Sequence, residues 1–142
     1  MHVIVLGCGG AGAGLARELS VQGHDVVVVD DVIDPKRMGN EFDGIAIAGS
    51  PTDEEVLRKA GIGEAQALVA ATADDHTNIM AAQVAREVFH VGRVLTWISD
   101  PDREEFYRGL GLETVCPTAT AVDQILGTLG LAGRRGNGTC SS

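Results

Sequence analysis

Residues 3–12, Val-Ile-Val-Leu-Gly-Cys-Gly-Gly-Ala-Gly, constrain the fold more than any other stretch of the chain. A short, largely β-branched apolar run stops at Gly7, Gly9 and Gly12, spaced G-x-G-x-x-G, and a helix-like segment follows. Each glycine has its own physical task in such a turn. Gly7 takes the chain sharply out of the strand, Gly9 leaves bare backbone for a pyrophosphate, and Gly12 lets helix and strand approach closely. A helix starting near Gly10 aims free N–H groups and the positive end of its dipole at an anion. No lysine is required for this, and none is close in sequence.

A glycine turn alone is a weak signal, so its context decides. A second apolar run, Val26 to Val29, ends at Asp30 and Asp31. Asp30 stands 18 residues beyond Gly12, where a dinucleotide fold places an acid for the adenosine ribose. A carboxylate there accepts from both ribose hydroxyls and repels a 2′-phosphate. No arginine follows at once to replace it, so NADP is disfavoured. The competing reading of Asp30 is a turn residue at a strand end.

Strand and helix patterns alternate along the rest of the chain. Residues 11–22 carry apolar side chains at roughly helical intervals, with Gly23 in the place of a C-terminal cap. A polar connection over 31–43, with room for one helical turn, leads to a short strand over 44–48. Thr52 or Asp53 caps a helix that stops at Gly61. A fourth strand over 67–71 is followed by a longer helix opened by Thr72-Ala73-Asp74-Asp75-His76-Thr77-Asn78 and running to about Phe89. Strands over 94–98 and 114–116 flank a short helix over 102–108, and a last helix covers 119–129. The pattern predicts an α/β fold of one domain: a Rossmann-like, doubly wound, parallel six-stranded sheet in the order 3-2-1-4-5-6. The first and fourth strands then border a crevice at their carboxyl ends, and both glycine-bearing and Thr72-bearing loops face it. Residues 1–129 form the expected domain. Residues 130–142, rich in glycine and serine, read as a flexible tail or the start of a linker.

Composition narrows the function classes. The net charge is −9, and the two lysines and nine arginines are scattered, so no basic stripe exists for a nucleic acid or an anionic membrane surface. Cys8, Cys116 and Cys140 make no C-x-x-C pair, which fits reduced thiols in a cytoplasm, and no metal-ligand spacing is present. No apolar run of spanning length and no signal-peptide pattern occurs, so direct membrane insertion is not expected. Cys8 reads as a small side chain that fits the turn rather than as a nucleophile.

Gly7-Cys8-Gly9-Gly10-Ala11-Gly12 with Leu15-Ala16, Gly23-His24-Asp25-Val26 through Asp30, Gly49-Ser50-Pro51-Thr52-Asp53, Ala60-Gly61-Ile62, Ala71-Thr72, Asp75, Asn78 and Ala85-Arg86 together resemble the TrkA-N family. These are the nucleotide-binding N-lobes, also called RCK or KTN domains, of regulators of potassium transport and conductance. The resemblance covers about residues 2–120. General dehydrogenases share its first motif but not the later Gly-x-Pro-Thr-Asp and Thr-x-x-Asp-x-x-Asn segments. It implies a regulatory domain that binds NAD(H) or an adenine nucleotide (AMP, ADP or ATP), pairs into a homodimer or a higher ring, and acts on a membrane potassium transporter or channel subunit. It implies a cytoplasmic protein, peripheral at the inner face of the membrane through that partner. By position, Gly7, Gly9, Gly10, Ala11 and Gly12 hold phosphates and Asp30 the ribose. Ser50 sits by the adenine, and Thr72 and Asp75 line the opposite wall. Cys8, Asp31, Pro51 and Ala73 complete the expected site as immediate neighbours of these residues, whereas Asn78 braces its helix start. Three positions depart from the family pattern. Gly10 stands where many members carry an arginine, Ser50 where Asp is common, and Trp97 where a strand end often holds Arg or Lys.

Two other function classes fit the same fold. An NAD-dependent oxidoreductase needs a second substrate-holding element and a proton donor beside the nicotinamide. All six strands are used by about residue 116, Tyr107 lacks a lysine four residues on, and His76 is the one titratable candidate near the crevice. A scaffold that has lost its ligand has no use for three glycines at this spacing. Trp97 is either a core side chain or a stacking surface, and the last helix folds back on its own domain or packs on a dimer mate.

Overall fold

The computed structural model describes residues 1–133, and most of the expected tail lies outside the described residues. The elements run β1 (His2–Leu6), α1 (Gly10–Val21), β2 (Asp25–Asp30), α2 (Pro35–Met38), β3 (Ile45–Ala48), α3 (Glu54–Lys59), β4 (Ala67–Ala70), α4 (Asp75–Glu87), β5 (Arg93–Trp97), α5 (Pro101–Gly109), β6 (Glu113–Val115) and α6 (Pro117–Thr128). The six strands form one sheet in the order β3-β2-β1-β4-β5-β6, parallel throughout. This is the doubly wound order the sequence predicts.

The core follows from strand periodicity. Successive side chains of a strand point to opposite faces, and a central parallel strand is covered on both. Val3 and Val5 of β1 therefore join Val26 and Val28 of β2 in one buried cluster with Ala13 and Ala16 of α1 and Met38 of α2. Ile4 and Leu6, with Val27 and Val29, join Leu57 of α3 and Ala81, Ala82 and Ala85 of α4 on the other face. Small alanines on the inner sides of α1 and α4 let these helices sit close to the sheet.

Differences from the predicted boundaries have local causes. Helix α4 starts at Asp75 rather than Thr72 because Asp74 caps it, its carboxylate accepting from Thr77 N–H at 3.1 Å. Helix α6 starts two residues earlier than expected, at Pro117, where a proline's fixed φ and missing donor suit the first helical position. Asp53 is the cap of α3. Val122 and Ile125 of α6 and Leu129 at its C-cap are exposed at i, i+3 and i+7, an apolar row on one helix face. Among the described residues, no helix is long and apolar enough to cross a membrane.

Helix α1 is seated on β1 by two glycines. Gly7 has φ +105°, a conformation that L side chains rarely adopt, and a Cβ there would lie 2.5 Å from the Ala71 carbonyl oxygen. A Cβ on Gly12 would overlap the Gly7 carbonyl oxygen. Gly10, by contrast, has nothing within 4 Å of its Cβ position. Gly12→Ala is expected to destabilise the protein by about 3 kcal/mol or more through overpacking. Gly10→Ala should be neutral or gain up to about 0.5 kcal/mol from helix propensity. Urea unfolding of both variants checks this, and equal effects would remove Gly12 from the role given to it.

Candidate functional site

Four helices begin under an aspartate cap: Asp34 for α2, Asp53 for α3, Asp74 for α4 and Asp100 for α5. Helix α1 has none. Its N-cap is Gly9, which offers no side chain, and the first intrahelical bond runs from Ala13 N–H to the Gly9 carbonyl at 2.8 Å. The amides of Gly10, Ala11 and Gly12 thus lie at an uncapped, electropositive helix end. Gly9 itself has an ordinary extended conformation, φ −69° and ψ −171°, and a Cβ on it would meet nothing closer than Arg37 Nη1 at 3.9 Å. Unlike Gly7 and Gly12, Gly9 is required by neither backbone nor packing. It is half-buried, with only the Arg37 side chain near its Cβ position.

Asp30 closes this turn from the end of β2. One carboxylate oxygen accepts from Cys8 N–H at 2.7 Å and the other from Val32 N–H at 3.2 Å. An ionised carboxylate has about four acceptor sites, so the two bonds fix Asp30 beside the turn and leave capacity for hydroxyl donors. Asp31 is exposed next to it. The Asp30 carbonyl also accepts from Gly49 N–H at 2.9 Å, which brings the β3 loop to the same rim. There Pro51 is buried, and the half-buried Ser50 hydroxyl is 3.1 Å from Thr52 Oγ1. Cys8 is buried in the turn with its thiol donating to the Val32 carbonyl at 3.1 Å. Burial pushes that thiol up, and the Asp30 carboxylate adds to the effect, so the neutral thiol is favoured.

The opposite wall is the β4–α4 loop. The close pass of Gly7 against Ala71 and Thr72 brings this wall to the glycine turn. Asn78, fully buried, holds it: its Oδ1 accepts from Thr72 N–H at 2.9 Å and from the Thr72 hydroxyl at 2.6 Å, while its Nδ2 donates to the carbonyls of Thr72 and Trp97 at 3.0 and 2.8 Å. Asn78 braces the loop, as the sequence reading expects. Ala73 and His76 are exposed beside it, and Trp97 is half-buried at the end of β5.

Asp75, also expected at the site, is buried and engaged by groups of its own chain. It is 7% exposed, and its carboxylate accepts from Ser99 N–H at 2.8 Å, Asp100 N–H at 3.3 Å and Arg103 Nη1 at 3.0 Å. Ser99 and Asp100 belong to the β5–α5 connection and Arg103 to α5, so Asp75 ties the start of α4 to that neighbouring segment. Sequence spacing gave no sign of this, because the partners lie 24 to 28 residues away. Burial alone would raise the Asp75 pKa, but the backbone donors of Ser99 and Asp100 and the Arg103 guanidinium outweigh it and hold it below the usual range. A group depressed in the folded state contributes stability above its unfolded pKa, about 3.9, and loses it as pH falls toward the folded value. Asp75→Asn should therefore be less stable than the parent at pH 7, and the gap should narrow as pH falls from about 5 toward 3. Urea unfolding across that range checks it, and a gap independent of pH would overturn the assignment.

Comparison with known proteins places this arrangement. The family model described as "TrkA-N domain" matches residues 3–118. The Trk system potassium uptake protein TrkA of Streptomyces coelicolor is 44% identical over 127 residues, covering 89% of this chain and 57% of that protein. A TrkA homolog of Methanothermobacter thermautotrophicus is 32% identical over 125 residues, covering 85% of this chain and 56% of its own length. The chain thus spans just over half the length of these curated relatives. Among solved structures, the GsuK RCK domain superposes with a TM-score of 0.74 at 26% identity, covering 90% of this chain and 27% of that one. The Kef CTD of Shewanella denitrificans in its AMP-bound form gives 0.75 at 21% identity, covering 94% and 84%. The latter likeness is one of fold. Since the family match runs from β1 through the start of α6 and takes in the glycine turn, Asp30 and the braced β4–α4 loop, the chain belongs to the TrkA-N domain family.

Proposed function

We propose that this chain is the nucleotide-binding regulatory module of a potassium uptake or cation channel system. Its ligand is NAD(H) or an adenine nucleotide, AMP, ADP or ATP. The observation that carries the reading is Gly9: a glycine that neither its backbone angle nor a packing contact requires, at the uncapped start of α1, beside a fixed carboxylate. Gly9, Gly10 and Ala11 meet the phosphates with backbone amides and Asp30 takes the ribose hydroxyls. Ser50 and Pro51, on the neighbouring rim, face the adenine, and Thr72 and Ala73 form the far wall. The Asp30 carboxylate disfavours the 2′-phosphate of NADP. Solved structures titled as the AMP-bound Kef CTD and as GsuK bound to ADP support adenine nucleotides as the ligand class.

The module is read as a sensor and not as a catalyst. The Cys8 thiol is buried and protonated, and the Asp75 carboxylate is spent on Ser99, Asp100 and Arg103. Relatives named as potassium uptake proteins support a membrane transporter or channel subunit as the partner, with this domain, residues 1–129, at the cytoplasmic face. The exposed row of Val122 and Ile125 on α6 with Leu129 at its C-cap supports a homodimer or a ring. Ligands acting through such an assembly shift it only by binding its arrangements unequally.

The test is thermal unfolding of the parent and of Gly9→Val with AMP, ADP, ATP, NAD, NADH and NADP. At about 100 times its dissociation constant a ligand adds roughly 2.7 kcal/mol. Stabilisation of the parent by nucleotides lacking a 2′-phosphate is expected. Gly9→Val, whose Cβ would meet only the Arg37 guanidinium at van der Waals distance, should keep most of its unliganded stability and lose that gain. No stabilisation of the parent, or full stabilisation of the variant, would overturn the reading.

A further inference from the structure

A guanidinium stands beside the bare glycine of the turn. Arg37 Nη1 is 3.9 Å from the Cβ position of Gly9, although the two residues are 28 apart in sequence. What brings it there is α2, a single helical turn fixed at several points. Pro35 occupies its first position, and the Asp34 carboxylate accepts from Lys36 N–H at 3.0 Å. Met38 is buried among Val3, Val5, Val26 and Val28, and the Arg17 guanidinium, reaching over from α1, donates to the Arg37 carbonyl. The Cα of Arg37 is therefore held firmly, while its side chain is 59% exposed. The acidic neighbour Asp34 competes weakly, with Arg37 Nε to Asp34 Oδ2 at 3.9 Å, the outer limit of an ion pair.

Charge gives this placement its significance. The chain carries a net −9, and Asp30, Asp31 and Asp34 all lie on the segment that leads to Arg37. An anionic ligand approaching the glycine turn meets that field, and the amides at the end of α1 carry only partial charges against it. A full positive charge at the rim changes the balance, and Arg37 is near enough for its charge to act on the neighbouring Cys8 thiol, in the lowering direction. Arginine also offers several donors in a planar fork suited to phosphate oxygens.

We propose that Arg37 is the phosphate-reading residue of the crevice: its guanidinium closes over a phosphate laid against Gly9, so the site holds adenosine nucleotides by their charge and discriminates against the unphosphorylated nucleoside. The inference rests on the nucleotide-binding reading above and assigns a side chain to it.

Calorimetric titration of the parent, Arg37→Gln and Arg37→Lys with AMP, and with adenosine at millimolar concentration as a competitor, tests it. Arg37→Gln should weaken AMP at least about tenfold and leave adenosine unchanged, the loss expected for one charge-assisted contact. Arg37→Lys should recover part of the AMP affinity, since it keeps the charge and loses the fork. The salt dependence of AMP binding should be shallower for Arg37→Gln than for the parent. Equal weakening of AMP and adenosine, or no change in either, would overturn the assignment of Arg37 while the parent still binds. A parent that binds neither ligand would instead remove the nucleotide reading itself.

Discussion

The Gly7 carbonyl and the bare Cα of Gly12 meet where no side chain fits between them, and the position of α1 on the sheet depends on that contact. From it follow the point at which α1 begins, the direction of its unpaired amides, and the pass of Gly7 against Ala71 and Thr72 that joins the two walls of the crevice. The strands beneath supply the rigidity. Val3, Ile4, Val5 and Leu6 are all buried, alternately to one face and the other, so β1 cannot shift without disturbing both halves of the core.

The remaining walls are fixed by polar groups buried where they are fully used. Asn78 spends its acceptor on Thr72 and its donors on the Thr72 and Trp97 carbonyls, connecting the ends of β4 and β5. Asp75 does the same one turn earlier on α4, toward Ser99, Asp100 and Arg103. Such groups cost little when every partner is present and a great deal when one is missing, which makes these loops geometrically exacting. A ligand entering the crevice meets a scaffold already set, with freedom left mainly to exposed side chains such as Arg37.

Much of this was legible in the sequence, because the signals were local. Strand order followed from β-branched runs alternating with helical spacing, and Gly7, Gly12 and Asp30 occupy places whose physics fits in a window of a few residues. What stayed hidden was set by contacts between distant segments. Asp75 sits in the first turn of α4, and its bonds to Ser99 and Arg103 depend on the folded position of a segment 24 to 28 residues away. Arg37 escaped for a related reason. The residue that follows Asp30 is another aspartate, and the Asp34-Pro35 segment brings a later cation back beside Gly9. Trp97 is half-buried, which favours neither of the two readings its bulk allowed.

The burial of Cys8 carries one more consequence. Its sulfur is enclosed at the middle of the turn, its amide is bound by Asp30, and its thiol is protonated and turned to the Val32 carbonyl. A thiol-directed reagent reaches that sulfur only when the turn detaches from the end of β2. The rate of alkylation at Cys8 is therefore a clock for local opening of the crevice floor, in the way that amide exchange reports the breathing of a strand. The chain thus carries its own chemical reporter inside the glycine turn, at the point where the turn is bound to Asp30.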